Sequence, residues 1–332
     1  MKFRFEYFLV MAVILLYSCG GNENSGKTKN KDNRKNTVEV PNFNSDSAYA
    51  YIQKQVDFGP RVPGTEAHDA CADYLTITLK RFTDSVYVQK YKARAYNGET
   101  LKGKNIIASF NPDNADRIFL CAHWDSRPYA DHDENPEFHN TPIDGANDGA
   151  SGVGVLLEIA RQLSTNQPEV GIDIILFDLE DYGPPQDSQQ RGEGDWWGLG
   201  SQYWSRNTHI PGYFAKYGIL LDMVGAKDAT FLMEGFSLYY APGLLKKVWN
   251  TAHRIGYSQH FLFEQGGYIE DDHKYINDIL KIPTIDIIHL DPNSTNGSFF
   301  DHWHTSTDNM DQISRQTLKA VGQTLLTVVF ED

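Results

Sequence analysis

The feature that most constrains the fold is an alternation of short apolar runs with longer stretches of helical periodicity. The runs, most of them β-branched, lie at residues 117–122, 171–177, 218–224 and 284–288, and they predict strands that are buried on both faces. Apolar residues at helical spacing predict helices at 150–163, 200–207, 242–255 and 312–329. This alternation predicts an α/β fold of three layers, α/β/α, in which helices cover a central mixed, mostly parallel β-sheet.

The segments that precede these runs add two helices and a hairpin. Residues 46–57 and 66–82 have helical periodicity. Residues 86–95 and 104–110 are rich in strand-forming residues, and the Asn97-Gly98 pair between them favours a hairpin turn. We therefore expect at least one antiparallel pair in the sheet.

The first residues predict export. A charged start, an apolar run and the sequence Leu16-Tyr17-Ser18 are typical of a signal peptide over residues 1–18, and Cys19 after Leu-x-Ser resembles a bacterial lipobox. Residues 19–37 hold almost no apolar side chain and predict a lipidated flexible tether, followed by a single folded domain at 38–332. A short buried helix or a plain cleaved signal are the alternatives. The expected protein is an exported lipoprotein of the periplasm or cell envelope that meets the membrane through its lipid anchor.

Charge excludes one class of partner. The chain carries a formal net charge of -14, and binding to nucleic-acid phosphates requires a basic face. We therefore expect no nucleic-acid partner.

Cys71 and Cys121 are the cysteines of the folded part, and their separation in sequence leaves open whether they pair.

Carboxylates and imidazoles follow the ends of the predicted strands or lie in the adjoining loops. In sheets of this kind ligands bind beyond the carboxyl ends of the strands. Taken singly, each residue has another explanation, such as a helix cap, a packed loop histidine or a solvated turn. Together they are ligand types suited to Zn²⁺, and they predict a metal site at one sheet edge. The residues are His123, Asp148, Glu180, Asp181, Asp222 and His304.

The motifs around these residues resemble a known family. Gly-Ala-Asn-Asp-Gly-Ala-Ser-Gly at 145–152, Phe-Asp-x-Glu-Asp at 177–181, Leu-Asp-Met at 221–223 and Trp-His-Thr at 303–305 are similar to those of the M28-type zinc aminopeptidases and glutaminyl cyclases. The resemblance runs from about residue 56 to the C-terminus and implies a zinc-aminopeptidase-like fold.

Three further segments resemble the glutaminyl cyclases in particular: residues 184–188 (Pro-Pro-Gln-Asp-Ser), 270–273 (Glu-Asp-Asp-His) and 283–289, the last followed by 303–305 and 308–309. This resemblance implies a zinc-dependent acyltransferase that converts the N-terminal Gln of peptides and proteins into pyroglutamate and releases ammonia. A two-zinc M28-type aminopeptidase is the alternative, because all five of its ligand positions are filled here. A non-catalytic surface-binding lipoprotein is a third reading.

The cyclase resemblance also implies roles for individual residues. One Zn²⁺ per chain would be held by Asp148, Asp181 and His304. Glu180 would be the general acid and base, and Asp271 would orient it or the reacting nitrogen. Polar support would come from His123, Asp222 and His289, and the substrate pocket would be lined by Trp303 with Trp196 or Trp197. Two departures stand out: animal cyclases have Glu at the position of Asp181, and Gly183-Pro184 replaces their pocket Trp.

Overall fold

Six strands form the central sheet of the computed structural model, which describes residues 39–189 and 194–332. The strands are β1 (Val86–Arg94), β2 (Thr100–Phe110), β3 (Arg117–His123), β4 (Gly171–Phe177), β5 (Gly218–Asp222) and β8 (Thr284–Ile288). Their order is β1–β2–β4–β3–β5–β8, where β4, β3, β5 and β8 run parallel and β2 pairs antiparallel with both β1 and β4. The predicted mixed, mostly parallel sheet is therefore confirmed.

The antiparallel pair is the hairpin that the Asn-Gly sequence predicts. Arg94 pairs with Thr100, and Gly98 in the turn has φ of 85°, a conformation that glycine adopts without strain. A second, two-stranded sheet of β6 (Phe231–Met233) and β7 (Phe261–Gln265) was not predicted, because β6 has only three residues and β7 is mostly exposed and lacks a buried apolar run.

Helices cover both faces of the central sheet, which confirms the three-layer prediction. The helices among the described residues are α1 (Ser45–Val56), α2 (Glu66–Leu79), α3 (Ala150–Leu163), α4 (Leu199–Arg206), α5 (Gly235–Tyr240), α6 (Pro242–Arg254), α7 (Asp272–Tyr275) and α8 (Arg315–Phe330). Along β3, Ile118 and Leu120 pack into the cluster that contains residues of α1, α3 and α8, whereas Phe119 and Cys121 pack with Trp204 of α4 on the opposite face.

The last helix begins later than its periodicity indicates. The Ser314 side chain accepts a hydrogen bond from the Thr317 N–H and caps α8, and a separate short turn occupies Met310–Gln312.

Cys71 and Cys121 are both buried and free, so they form no disulfide with each other. Among the described residues no helix is both long and apolar enough to cross a membrane. The predicted signal peptide, Cys19 and the tether lie outside the described residues.

The helix α3 lies against the strands at a distance that only glycine permits. A Cβ on Gly152 would come within 2.4 Å of the Leu221 carbonyl oxygen and 2.9 Å of the Ala122 Cβ. Both are held by the sheet, so neither can move aside cheaply. This close approach fixes the N-terminal end of α3, and the residues just before it, over the ends of β3 and β5.

We predict that Gly152→Ala lowers the free energy of unfolding by about 1–3 kcal/mol, because the added methyl group meets backbone rather than a flexible side chain. Urea denaturation measures the change. Gly243→Ala in α6 is the matched control: a Cβ there meets nothing within 4 Å, so stability should stay equal or rise slightly. Equal stability of the two variants would contradict the close packing.

Candidate functional site

The ends of three parallel strands bring the predicted residues to one edge of the sheet. His123 and Asp222 end β3 and β5, and Glu180 and Asp181 follow β4. Asp148 reaches the same edge from the loop before α3. His304 reaches it from the loop before α8.

The backbone is strained at three points of this edge. Leu179, Met223 and His304 have positive φ angles of 62°, 49° and 53°. Such conformations cost non-glycine residues of order 1–3 kcal/mol each and persist where surrounding structure holds them. Each of the three is next to a predicted site residue or is one, so the strain is concentrated where side-chain direction matters.

Asp148, Asp181 and His304 form the first group that can hold a metal ion. Nε2 of His304 lies 3.3 Å from Asp181 Oδ1 and 3.6 Å from Asp148 Oδ2. Zn²⁺ with ligands at about 2.1 Å in tetrahedral geometry separates its ligand atoms by roughly 3.4 Å. All three residues are buried, and Asp181 Oδ2 has no hydrogen-bond partner. The donor types, their spacing and this buried unpaired oxygen all fit zinc.

A second group shares Asp148 with the first. Nε2 of His123 lies 3.1 Å from Asp148 Oδ1 and 3.2 Å from Asp222 Oδ1. These are also hydrogen-bond distances, so the same three residues could bind a second metal ion or bond directly to one another. The hydrogen bond from His123 lowers the pKa of Asp148 although burial raises it, whereas burial raises the pKa of Asp222 to about 7.

Two buried carboxylates, to which the sequence analysis assigned no role, bond to the backbone of the segments that carry the ligands. Asp308 accepts hydrogen bonds from the Asn147 and Asp148 N–H groups, at 2.9 and 3.0 Å. Asp125 accepts hydrogen bonds from the Glu180 and Asp181 N–H groups, at 3.1 and 3.2 Å. Each carboxylate therefore fixes one segment that carries a metal-ligand candidate.

Glycine is required beside Asp148. Gly149 has φ of 95°, and a Cβ on it would lie 2.6 Å from the Asp125 carbonyl oxygen and 3.1 Å from the His123 ring. The loop can therefore turn into α3 directly over β3 only with glycine at this position.

Arg127 joins several parts of the site. Its guanidinium donates to both carboxylate oxygens of Asp131 at 2.8 and 2.7 Å, and to Asp181 Oδ1 at 3.3 Å. Asp131 in turn lies 3.6 Å from Nδ1 of His304. One buried cation therefore fixes a metal-ligand candidate directly and faces a second one through Asp131. The predicted motifs did not include Arg127 or Asp131.

Glu180 and Asp271 are buried carboxylates beside the first metal group. Burial raises the pKa of Glu180 well above its usual range, and the nearby Asp271 and Asp181 carboxylates add to the rise against the opposing charge of His123. Burial likewise raises the pKa of Asp271. A carboxyl group whose pKa lies nearer neutrality can both accept and donate a proton at working pH.

Two adjoining cavities open at this edge. An inner cavity of about 100 Å³ is lined by the metal group, Glu180, Asp271 and apolar side chains that include Met223 and Phe299. An outer cavity of about 340 Å³ is lined by aromatic and charged residues, including Trp196 and Asp195. Four residues line both cavities: Trp197, Glu270, Trp303 and His304.

The three predicted tryptophans lie in these walls. Trp303 stacks on His304 with ring centroids 3.8 Å apart, and the Trp197 ring lies 6.3 Å from His304 on a nearly parallel plane. A Cβ on Gly183 would lie 2.3 Å from the Trp197 ring. The glycine that replaces the expected tryptophan therefore makes room for Trp197, whereas Trp196 lines the outer cavity.

One predicted supporting residue lines another cavity. His289 borders a cavity of about 280 Å³ with residues such as Asp228 and His302, and its ring stacks on Phe300. It follows β8 and forms a bridge with Phe231 of β6. Its supporting role at the metal group stays a prediction.

Comparison with known proteins gives consistent matches. Residues 105–329 match the family model described as Peptidase family M28. A glutaminyl-peptide cyclotransferase of Bos taurus is 26% identical over 261 residues, which cover 68% of this chain and 65% of that protein. The chain therefore spans 65% of the length of this curated relative.

Solved structures are more similar. A Zn-dependent exopeptidase from Parabacteroides distasonis is 54% identical with a TM-score of 0.87, covering 89% of this chain and 100% of that one. A glutaminyl cyclase of Bacteroides thetaiotaomicron bound to N-acetylhistamine is 53% identical with a TM-score of 0.85, again covering 89% and 100%. Both similarities extend over almost all of the described residues.

We predict that His304→Ala lowers the bound zinc to well below one equivalent, because it removes the only nitrogen ligand of the first group. Metal analysis of the purified protein measures the loss. His302→Ala is the matched control: this histidine lies two residues away and bonds to the Thr307 hydroxyl at 2.7 Å, so the variant should keep its zinc. Full zinc loading of His304→Ala would contradict the ligand assignment.

Proposed function

This chain belongs to peptidase family M28, and we propose that it is a zinc-dependent glutaminyl-peptide cyclotransferase. It would convert the N-terminal Gln of peptides and proteins into pyroglutamate and release ammonia. The similarity to bacterial glutaminyl cyclases at about half of all positions supports this proposal.

The observation that carries the proposal is the inner cavity. Its volume of about 100 Å³ suits one short side chain, and Trp197 and Trp303 lie at its junction with the outer cavity. Glu180 and Asp271 line it together with the three metal-ligand candidates. A Gln side chain that enters this space meets a proton carrier and the metal group at once, while its backbone stays near the mouth.

In the proposed reaction the substrate supplies its own nucleophile. The α-amine nitrogen bonds to the side-chain amide carbon, and the bond from that carbon to the amide nitrogen breaks. Glu180 takes a proton from the attacking amine and gives it to the departing nitrogen, which leaves as ammonia. The raised pKa of Glu180 suits a group that must do both. Asp271 would orient Glu180 or the amine, and the aromatic walls would exclude water.

The metal site would be formed by Asp148, Asp181 and His304, with one zinc per chain. A zinc ion held by these residues would supply Lewis-acid polarisation of the amide carbonyl. Asp125, Asp308 and Arg127 would keep the three ligands in place through the contacts described above. His123, whose Nε2 is within hydrogen-bond distance of both Asp148 and Asp222, would fix these carboxylates without a second metal ion.

The runner-up is a two-zinc aminopeptidase. The group of His123, Asp148 and Asp222 favours it, as does the similarity to a Zn-dependent exopeptidase. Such an enzyme must activate a water molecule between two metal ions. The cyclase needs no water, and the small inner cavity, whose lining includes Trp197, Phe299 and Trp303, supports the reaction that excludes it.

We also propose that the chain is an exported lipoprotein of the periplasm or cell envelope. The support is the N-terminal sequence: a signal peptide at 1–18, Cys19 in a lipobox-like context and a polar tether to residue 37. The lipid on Cys19 would hold the catalytic domain at a membrane surface.

The direct test is incubation of the zinc-loaded protein with Gln-Ala amide, followed by measurement of ammonia. We expect ammonia release, about one zinc per chain and no hydrolysis of Leu-anilide. Two zinc ions per chain together with anilide hydrolysis would identify the aminopeptidase instead. A protein that leaves both substrates unchanged would contradict both assignments.

We predict that Glu180→Gln lowers kcat by roughly 100- to 10,000-fold, because the amide cannot carry the proton. Its zinc content should stay at the wild-type level, since Glu180 is not among the proposed ligands. Ammonia release and metal analysis test the two parts. Glu137→Gln, an exposed glutamate outside both cavities, serves as the control and should keep wild-type turnover. Loss of zinc from Glu180→Gln would mean that the roles of Glu180 and Asp181 are reversed.

A further inference from the structure

The two cavities form one path along the substrate. Trp197, Glu270, Trp303 and His304 line both, so the inner cavity opens directly into the outer one. If the Gln side chain occupies the inner cavity, the next residue of the peptide must lie in the outer cavity. The outer wall therefore decides which second residues are accepted.

One lysine ammonium group lies near three carboxylates, two of which belong to the wall of the outer cavity. Nζ of Lys274 lies 3.7 Å from Glu270, 3.9 Å from Asp195 and 3.6 Å from Asp278. A single ammonium group leaves the three carboxylates with an excess of negative charge. Glu270 and Asp195 line the outer cavity, and the Glu270 side chain is 58% exposed. This excess therefore faces the position of the second residue.

Among the described residues, Arg127 is the other lining group of the outer cavity with a permanent positive charge. It is buried and paired with Asp131 and Asp181, so it offers little free charge to a ligand. The ring of His132 packs 4.3 Å from Trp303, so that part of the wall is aromatic.

Acidic and aromatic side chains together match one class of ligand. A lysine or arginine side chain carries an apolar stem that packs on aromatic rings and a cationic head that is attracted to carboxylates and to ring faces. Trp196, Trp197 and Trp303 supply the rings, and Glu270 with Asp195 supplies the carboxylates. An acidic second residue meets like charge in the same place.

We propose that the outer cavity selects substrates with a cationic residue after the N-terminal Gln, and that Glu270 is the main determinant of this preference. The proposal rests on the proposed cyclase function, because it assumes that Gln enters the inner cavity. It adds a substrate class: peptides that begin with Gln-Lys or Gln-Arg, in preference to Gln-Glu or Gln-Asp.

The test compares kcat/KM for three peptide amides, Gln-Lys, Gln-Ala and Gln-Glu, on the zinc-loaded protein. We expect Gln-Lys to exceed Gln-Glu by roughly five- to tenfold at low salt, with Gln-Ala between them, and the ratio to shrink in 0.5 M salt as the exposed charges are screened. Glu270→Gln should reduce this ratio at least by half. Lys274→Met should increase it, because the variant removes the one neutralising ammonium group.

Asp278→Asn provides the matched control. Asp278 shares Lys274 with Glu270 but does not line either cavity among the described residues, so this variant should lower the ratio clearly less than Glu270→Gln does. Equal kcat/KM for the three peptides, or a ratio that Glu270→Gln leaves unchanged, overturns the proposal. An equal fall of the Gln-Lys to Gln-Glu ratio in Glu270→Gln and Asp278→Asn also overturns it, because such a result would assign the preference to overall charge. Failure of the cyclase function gives a different result: no ammonia from any peptide, Gln-Ala included.

Discussion

The burial of several carboxylates at one sheet edge is the constraint on which the rest of the site depends. Asp148, Glu180, Asp181, Asp222 and Asp271 are each less than a tenth exposed. Removing such groups from water is costly unless cations, hydrogen-bond donors or shared protons compensate. The structure supplies Arg127, two imidazoles and a group of ligand atoms at zinc spacing. It also holds the carboxylates in place through backbone N–H groups bonded to Asp125 and Asp308, which are themselves buried acids.

Much of this edge could be predicted from the sequence, because strand ends and glycines leave local signals. Asp148 was recognisable from the glycines around it, and the structure shows that Gly149 is needed for the turn over β3. The supporting residues left no such signal. Arg127 and Asp131 act only through long-range contacts with Asp181 and His304, which spacing along the chain cannot reveal. His289 follows β8 as predicted, but its stacking on Phe300 and its bridge to Phe231 could not be read from the pattern.

The position of Asp148 between two imidazoles explains why the ligand types alone do not separate one metal from two. One carboxylate oxygen faces His123 and the other faces His304. If Nε2 of His123 carries a proton, it donates to Asp148 and Asp222 and the second group is satisfied without metal. If it is deprotonated, the same three residues become ligands. Whether the second group binds a metal ion therefore depends on the proton on Nε2 of His123, and the identities of the residues do not show whether that proton is present.

The replacement of the expected pocket tryptophan shows how a wall can be kept while its origin in the chain changes. Gly183 has no side chain, and the ring of Trp197, fourteen positions later in sequence, occupies the space that a Cβ would need. The guanidinium of Arg127 lies 4.9 Å from the Trp197 ring and also binds the Asp181 carboxylate. The ring is thereby tied to a metal-ligand candidate. A shorter acid at 181 and a tryptophan from a later segment are therefore linked features, since one arginine contacts both. A residue-by-residue alignment would count them as two separate departures, whereas in the fold they are parts of one arrangement.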